Sequence, residues 1–153
     1  MRTIGRKDRI DLPDLNLFNL EAKIDTGAYG CALHCHHIEV IEVDGNKVLQ
    51  FDLLDPEHPE YEKEVFRYSN FGEKTVKSTN GESESRYTIS SQMVIFETEY
   101  NVEFSLTNRA TMKIPVLIGR KFLRTRFIVD VVKKNLSYKL KLKHENSSTI
   151  QKP

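Results

Sequence analysis

Residues 23 to 37, KIDTGAYGCALHCHH, bring together most of the side chains in this chain that could do chemistry. Asp25 stands on a Thr-Gly turn, and Cys31, His34, Cys35, His36 and His37 follow closely. Hydrolysing an amide with carboxylates takes one ionised group to draw a proton from water and one protonated group to polarise the carbonyl. Such a pair, about 3 Å apart, shares a single proton because both members cannot ionise so close together. Asp25 supplies half of that arrangement. Thr26 has a hydroxyl able to lock the turn, and Gly27 lets the backbone approach a partner or substrate closely. Asp-Thr-Gly is also a common turn sequence, so a turn that simply ends a strand is the plain alternative.

The histidines offer a second chemistry. On a strand the side chains alternate, so His34 and His36 share one face and Cys35 and His37 the other. His34 and His36 are therefore candidate zinc ligands, but a catalytic zinc needs a third ligand and an open position for water. His58 or a nearby glutamate could complete the set, although no His-Glu-x-x-His occurs. The competing reading makes His36 and His37 surface histidines and Cys31 and Cys35 small, buried or half-buried residues. A Cys-His nucleophilic pair lacks an oxyanion hole or an orienting acid at recognisable spacing. On a strand the two cysteines lie about 13 Å apart, beyond disulfide reach, which fits reduced thiols in a cytoplasm.

The elements that must position these residues read as strands. Short segments rich in Val, Ile, Phe and Tyr recur between turn signals, with little helical periodicity. RIDLPDLNLFNLEAKID predicts a hairpin around Pro13-Asp14 that delivers Asp25 to a strand end. HHIEVIEVDGNKVLQFDLL predicts a second hairpin around Asp44-Gly45. TVKSTNGESESRYTISSQMVIF predicts a long hairpin with a polar tip at Asn80-Gly81, and MVIFETEYNVEFSLTN another hairpin. IPVLIGRKFL reads as an apolar strand ending at Gly119 and then one or two helical turns. RFIVDVVKKNLSYKLKLK reads as one or two closing strands, its alternating lysines forming a solvated face, and HENSSTIQKP as a disordered tail. Asp130, flanked by apolar residues, lacks a Thr-Gly turn; an ion pair with Arg120, Arg124 or Arg126 is expected for it.

At 153 residues one domain is expected, with residues 1–143 forming it and 144–153 the tail. Lysines and arginines number 23 against 22 acidic residues, so no overall basic field argues for nucleic acid. No apolar run of about 18 residues or more is present, and MRTIGRKDRIDLPDL has no signal-peptide character, so a cytoplasmic protein without membrane contact is expected. No phosphate-cradling Gly-x-x-x-x-Gly-Lys-Ser/Thr loop occurs, and no cofactor is expected.

RIDLPDLNLFNLEAKIDTGAYGCALH, VKSTNGESESRYTI and VEFSLTNRATMKIPVLIGRKFLRTRFIVDV together resemble a bacterial family labelled ATP-dependent zinc protease, often found beside or fused to a glutamate ligase of the RimK type. Despite that label, the family resembles the retropepsin-like aspartic peptidases. The resemblance covers roughly residues 4 to 132, with a variable stretch from about Glu39 to Lys74. It implies an all-β, retropepsin-like closed barrel with one short helix after Gly119, and a homodimer that hydrolyses peptide bonds with one Asp25 from each chain. It further implies Thr26 and Gly27 as the supporting turn, and Ala28, Asn80, Gly81 and Arg86 on the substrate side, Asn80 and Gly81 from a flap hairpin and Arg86 following it. Gly119 and Arg120 become the scaffold behind the turn, and His34 a structural residue. The Tyr29-Gly30-Cys31 turn departs from the Arg- and Thr/Ser-containing turn usual in the family. A silent peptide-binding module and a zinc hydrolase remain as alternatives, and a RimK-type ligase as an associated partner.

Overall fold

The computed structural model describes residues 1–77, 80–108 and 112–150, apart from the side chains of 147–150. Strands dominate. β1 (Arg2–Ile4) and β2 (Lys7–Leu12) lead through a short 3-10 turn, Pro13–Leu15, into β3 (Leu17–Asp25). β4 (Cys31–Val43), β5 (Asn46–Leu53), β6 (Val65–Tyr68), β7 (Gly72–Lys77), β8 (Ser83–Ile95) and β9 (Thr98–Thr107) follow. The chain closes with β10 (Val116–Gly119), α1 (Arg120–Leu123), β11 (Phe127–Val129) and α2 (Leu136–Ile150). Among the described residues, no helix is long and apolar enough to cross a membrane.

Hydrogen bonding runs in the order β10, β3, β2, β8, β9, β4, β5, β6, with β7 on β8, and β10 also pairs with β4. That last pairing brings the path back on itself. β10 thus lies between β3, to which it is parallel, and β4, to which it is antiparallel. Val116, Ile118, Leu33, Ala22 and Phe104 fill the space inside with Ile10, Leu12, Ile89, Met93 and Ile95. β1 and β11 form a separate parallel pair.

The turns fall where their chemistry puts them. Asp44 and Gly45 adopt φ of 54° and 81°, the left-handed pair that matches the twist of a two-residue hairpin. Phe96 and Glu97 do the same between β8 and β9 at 49° and 57°, without glycine. The stretch from Glu39 to Lys74 forms the outer half of β4 with β5 and β6, and the first residues of β7.

One expectation fails at the C-terminal end. Residues 136–150, read as a strand and a disordered tail, form α2, while 151–153 lie outside the described residues. The Lys-Leu-Lys-Leu-Lys alternation carries a period of two, but Leu136 and Leu140, four apart, pack one helical face on the core. The signal that decides for helix is Asp8, far away in sequence. β2 buries every second residue, and Asp8 occupies one of those inward positions. Its carboxylate accepts Ser137 N–H at 2.9 Å and Tyr138 N–H at 3.1 Å, meeting donors that the first helical turn cannot satisfy itself. Burial raises its pKa, opposed by these same backbone hydrogen bonds. Lys141 adds an ion pair to Asp11 at 2.9 Å.

Asp8→Ala should lower stability by about 1–2 kcal/mol, read by chemical denaturation, and speed hydrogen exchange in α2. Asp8→Asn, which keeps an acceptor and removes the buried charge, should cost less than Asp8→Ala.

Candidate active site

Asp25 is the last residue of β3 and is half-buried. Its Oδ1 accepts Gly27 N–H at 2.9 Å, and its carbonyl accepts Ala28 N–H at 3.3 Å, so the turn is closed by backbone donors. Among the described residues the Thr26 hydroxyl makes no hydrogen bond; the Thr26 side chain does not lock the turn within one chain. A Cβ on Gly27 would sit 3.2 Å from Asp25 Oδ1, so glycine leaves room for the carboxylate.

The turn is pinned from behind. Gly119 is the parallel register partner of Asp25. A Cβ there would lie 2.3 Å from the Gly30 carbonyl oxygen and 2.6 Å from that of Tyr29, distances no side chain tolerates. Arg120 N–H then donates to Ala28 O and Lys121 N–H to Tyr29 O, both at 2.9 Å. The Arg120 guanidinium reaches Gly27 O at 3.3 Å and lies 5.4 Å from the centre of the Tyr29 ring. The unusual Tyr29 is thereby stacked under a cation, and it stays 47% exposed.

Asp25, Gly27 and Ala28 line a cavity of about 670 Å³ together with Tyr29, Arg86 and Arg120. The arms of the β7–β8 hairpin, Lys74 to Lys77 and Arg86, also line it. Lys74 is the sole contribution of the 39–74 stretch to this lining among the described residues. Asn80 and Gly81 do not line the cavity; they form the exposed tip, with Gly81 at φ 86° and Asn80 Oδ1 accepting Glu82 N–H at 3.2 Å. Residues 78 and 79 of the tip lie outside the described residues. Thr107 and Ser105 from β9 line the cavity as well, and neither stood out in the sequence.

The histidines lie elsewhere. His34, 2% exposed, and His36 both turn to Asp55, with His34 Nε2 3.2 Å from Oδ2 and His36 Nδ1 3.1 Å from Oδ1. These are ion-pair distances without hydrogen-bond alignment, because the same nitrogens have no aligned partner. His37 turns the other way, onto Asp52 at 2.8 Å, where the Tyr61 hydroxyl also donates. His58 is occupied: Nδ1 accepts Glu60 N–H at 3.0 Å and Nε2 meets Lys113 O at 2.7 Å. Among the described residues, no three or more His, Cys, Asp and Glu side chains gather to hold a metal ion. Cys31 and Cys35 are buried free cysteines, and burial raises both thiol pKa values, which suits packing and not nucleophilic attack. Asp130 caps its own turn, accepting Val132 N–H at 3.0 Å, and among the described residues no arginine pairs with it.

A family model described as retropepsin-like aspartic endopeptidase RimB matches residues 3–139. The chain belongs to this RimB-like family. Curated relatives include a probable alpha-L-glutamate ligase of Shewanella pealeana, 30% identical over 131 residues, and one of Parasynechococcus marenigrum, 31% identical over 128. The matches cover 83% of this chain in both cases, but only 28% and 27% of those proteins, so the chain spans little more than a quarter of their length. The fold is shared with a crystal structure of a Legionella pneumophila protein of unknown function, at a TM-score of 0.67 and 24% identity, covering 89% of this chain and 98% of that one.

Two outcomes follow from the geometry. Gly119→Ala should cost about 3 kcal/mol or more, because the added methyl meets backbone and not a movable side chain; thermal denaturation reads it. His34 gives a pH dependence. Burial holds its pKa below the ordinary 6.5, with Asp55 opposing, so below pH 6.5 the unfolded chain binds more protons than the folded one. Stability is then present above that value and lost on acidification, and His34→Gln should flatten the denaturation midpoint between about pH 7 and pH 5.

Proposed function

We propose that this RimB-like chain is an aspartic-type peptidase that works as a homodimer, each copy supplying one Asp25 to a shared acid/base pair. The observation that carries the reading is Asp25 on a backbone-locked turn, lining a cavity together with the arms of a hairpin. The returning strand path supports a closed barrel as the frame. A two-fold axis beside the turn would set the two carboxylates against each other and place two hairpins over one cleft. The Thr26 hydroxyl, unused among the described residues, is then available to the second copy. The hairpin arms exclude water and align an extended peptide.

Lys74, Lys77, Arg86 and Arg120 surround the cavity, with Asp25 as its acidic lining residue. That balance suits an acidic peptide, and the ligase names of the relatives make a glutamate-tailed protein the natural substrate class. A RimK-type glutamate ligase is the corresponding partner. The second reading, a module that binds peptide without turnover, is favoured by Tyr29, which holds Arg120 beside the turn.

Asp25→Asn should reduce cleavage of a glutamate-rich peptide by about 10²-fold or more, with folding and solution mass unchanged. Specific activity should fall on dilution as dimers dissociate. Equal cleavage by Asp25→Asn sinks the aspartic mechanism. Saturable binding without cleavage by the wild type favours the silent module, and activity lost to a chelator favours the zinc hydrolase.

A further inference from the structure

Among the described residues, two buried polar atoms in the wall of the Asp25 cavity have no hydrogen-bond partner. The Arg86 side chain is only 9% exposed, and its Nε makes no hydrogen bond. Its guanidinium has five donors to place; Nη2 donates to Glu84 Oε2 at 3.3 Å in an ion pair with a half-exposed carboxylate. Thr107, 3% exposed, likewise has an unpartnered Oγ1. Both side chains line the same cavity as Asp25. Buried donors left unmet are costly, and in a native fold each such group calls for an explanation.

A second observation points the same way. Lys74 is the direct cross-strand partner of Arg86 in the β7–β8 ladder, and like charges facing each other across a strand pair are destabilising. Lys74 is relieved by Glu103 at 3.6 Å and by solvent. Arg86 has Glu84 at 3.3 Å but is withdrawn from solvent, so its Nε is left unmet against the cleft wall among the described residues.

We propose that Arg86 and Thr107 form a carboxylate-binding subsite in this wall, which takes an acidic side chain of the bound peptide. The guanidinium fork offers two parallel N–H donors to the carboxylate and the Thr107 hydroxyl a third, a geometry that a lysine cannot reproduce. Lys77 and Arg120, on the same cavity, add attraction at longer range that salt screens. The inference rests on the cleft being a peptide site, but not on peptide turnover.

The test uses the full chain and two amidated, fluorescein-labelled peptides that differ only in having glutamates or glutamines, with binding followed by anisotropy and cleavage by chromatography. The wild type should prefer the glutamate peptide by about tenfold or more, the size of a hydrogen-bonded charge pair. Arg86→Met should bring that ratio close to one, and Thr107→Val should lower it several-fold. Lys77→Gln, which removes charge from the same cleft, should have a smaller effect that disappears at high salt. If Arg86→Met does not fold by circular dichroism, Arg86→Lys and Thr107→Val decide. A preference that survives them, or an effect equal to that of Lys77→Gln at every salt concentration, overturns the subsite. Selective binding without cleavage removes the peptidase reading and keeps the subsite. Equal binding and cleavage of both peptides does the reverse, and binding of neither overturns both.

Discussion

The close approach of Gly119 to the Tyr29 and Gly30 carbonyls is the constraint on which the site depends. β10 can run parallel to β3 and still pass beneath the Asp25 turn only because position 119 has no side chain. The two N–H donors that follow, on Arg120 and Lys121, then reach the Ala28 and Tyr29 carbonyls. Each such bond contributes about 0.5–1.5 kcal/mol net, but their larger effect is geometric. They fix the orientation of a carboxylate whose side chain, among the described residues, bonds only the Gly27 backbone, and fixed orientation is a main source of rate in a positioned catalyst.

The same economy explains why one chain is read as half a site. The two buried aspartates have structural tasks: Asp8 holds the start of α2, and Asp52 takes the His37 ring and the Tyr61 hydroxyl. Asp130 caps a turn, and Asp55 is shared between His34 and His36. Among the described residues Asp25 bonds only the backbone of its own turn while lining a large cavity. On the proposed aspartic mechanism two carboxylates stand close enough to share a proton, and a symmetry mate is the simplest source of the second.

What the sequence shows of all this divides by the range of the interaction. The hairpin at Asp44-Gly45 is legible because turn chemistry is local, and the Gly119-Arg120 element because an apolar strand meets a glycine. α2 is not legible, since its alternating lysines imitate a strand and its anchor, Asp8, lies at the other end of the chain. The shared face of His34 and His36 is legible from strand alternation. Their partner is not: Asp55 comes back to them because Leu54, at a φ of 68°, donates its N–H to His34 O at 2.7 Å. Thr107 carries no sequence signal because a threonine at a strand end is unremarkable until its burial is known.

The hairpin over the cleft also divides by range. Its described tip, Asn80 and Gly81, is exposed local turn chemistry, whereas its arms carry the conflict between sequence rules and structure: two cations opposite each other, one of them buried. Folds in which local preferences agree place such conflicts at functional positions. An exposed lysine near a cleft implies little, because water satisfies it wherever it stands. A guanidinium that water scarcely reaches has already lost most of its hydration, so an anion arriving at it need displace little solvent. On this ground the proposed subsite rests on Arg86 and not on the more exposed lysines around it.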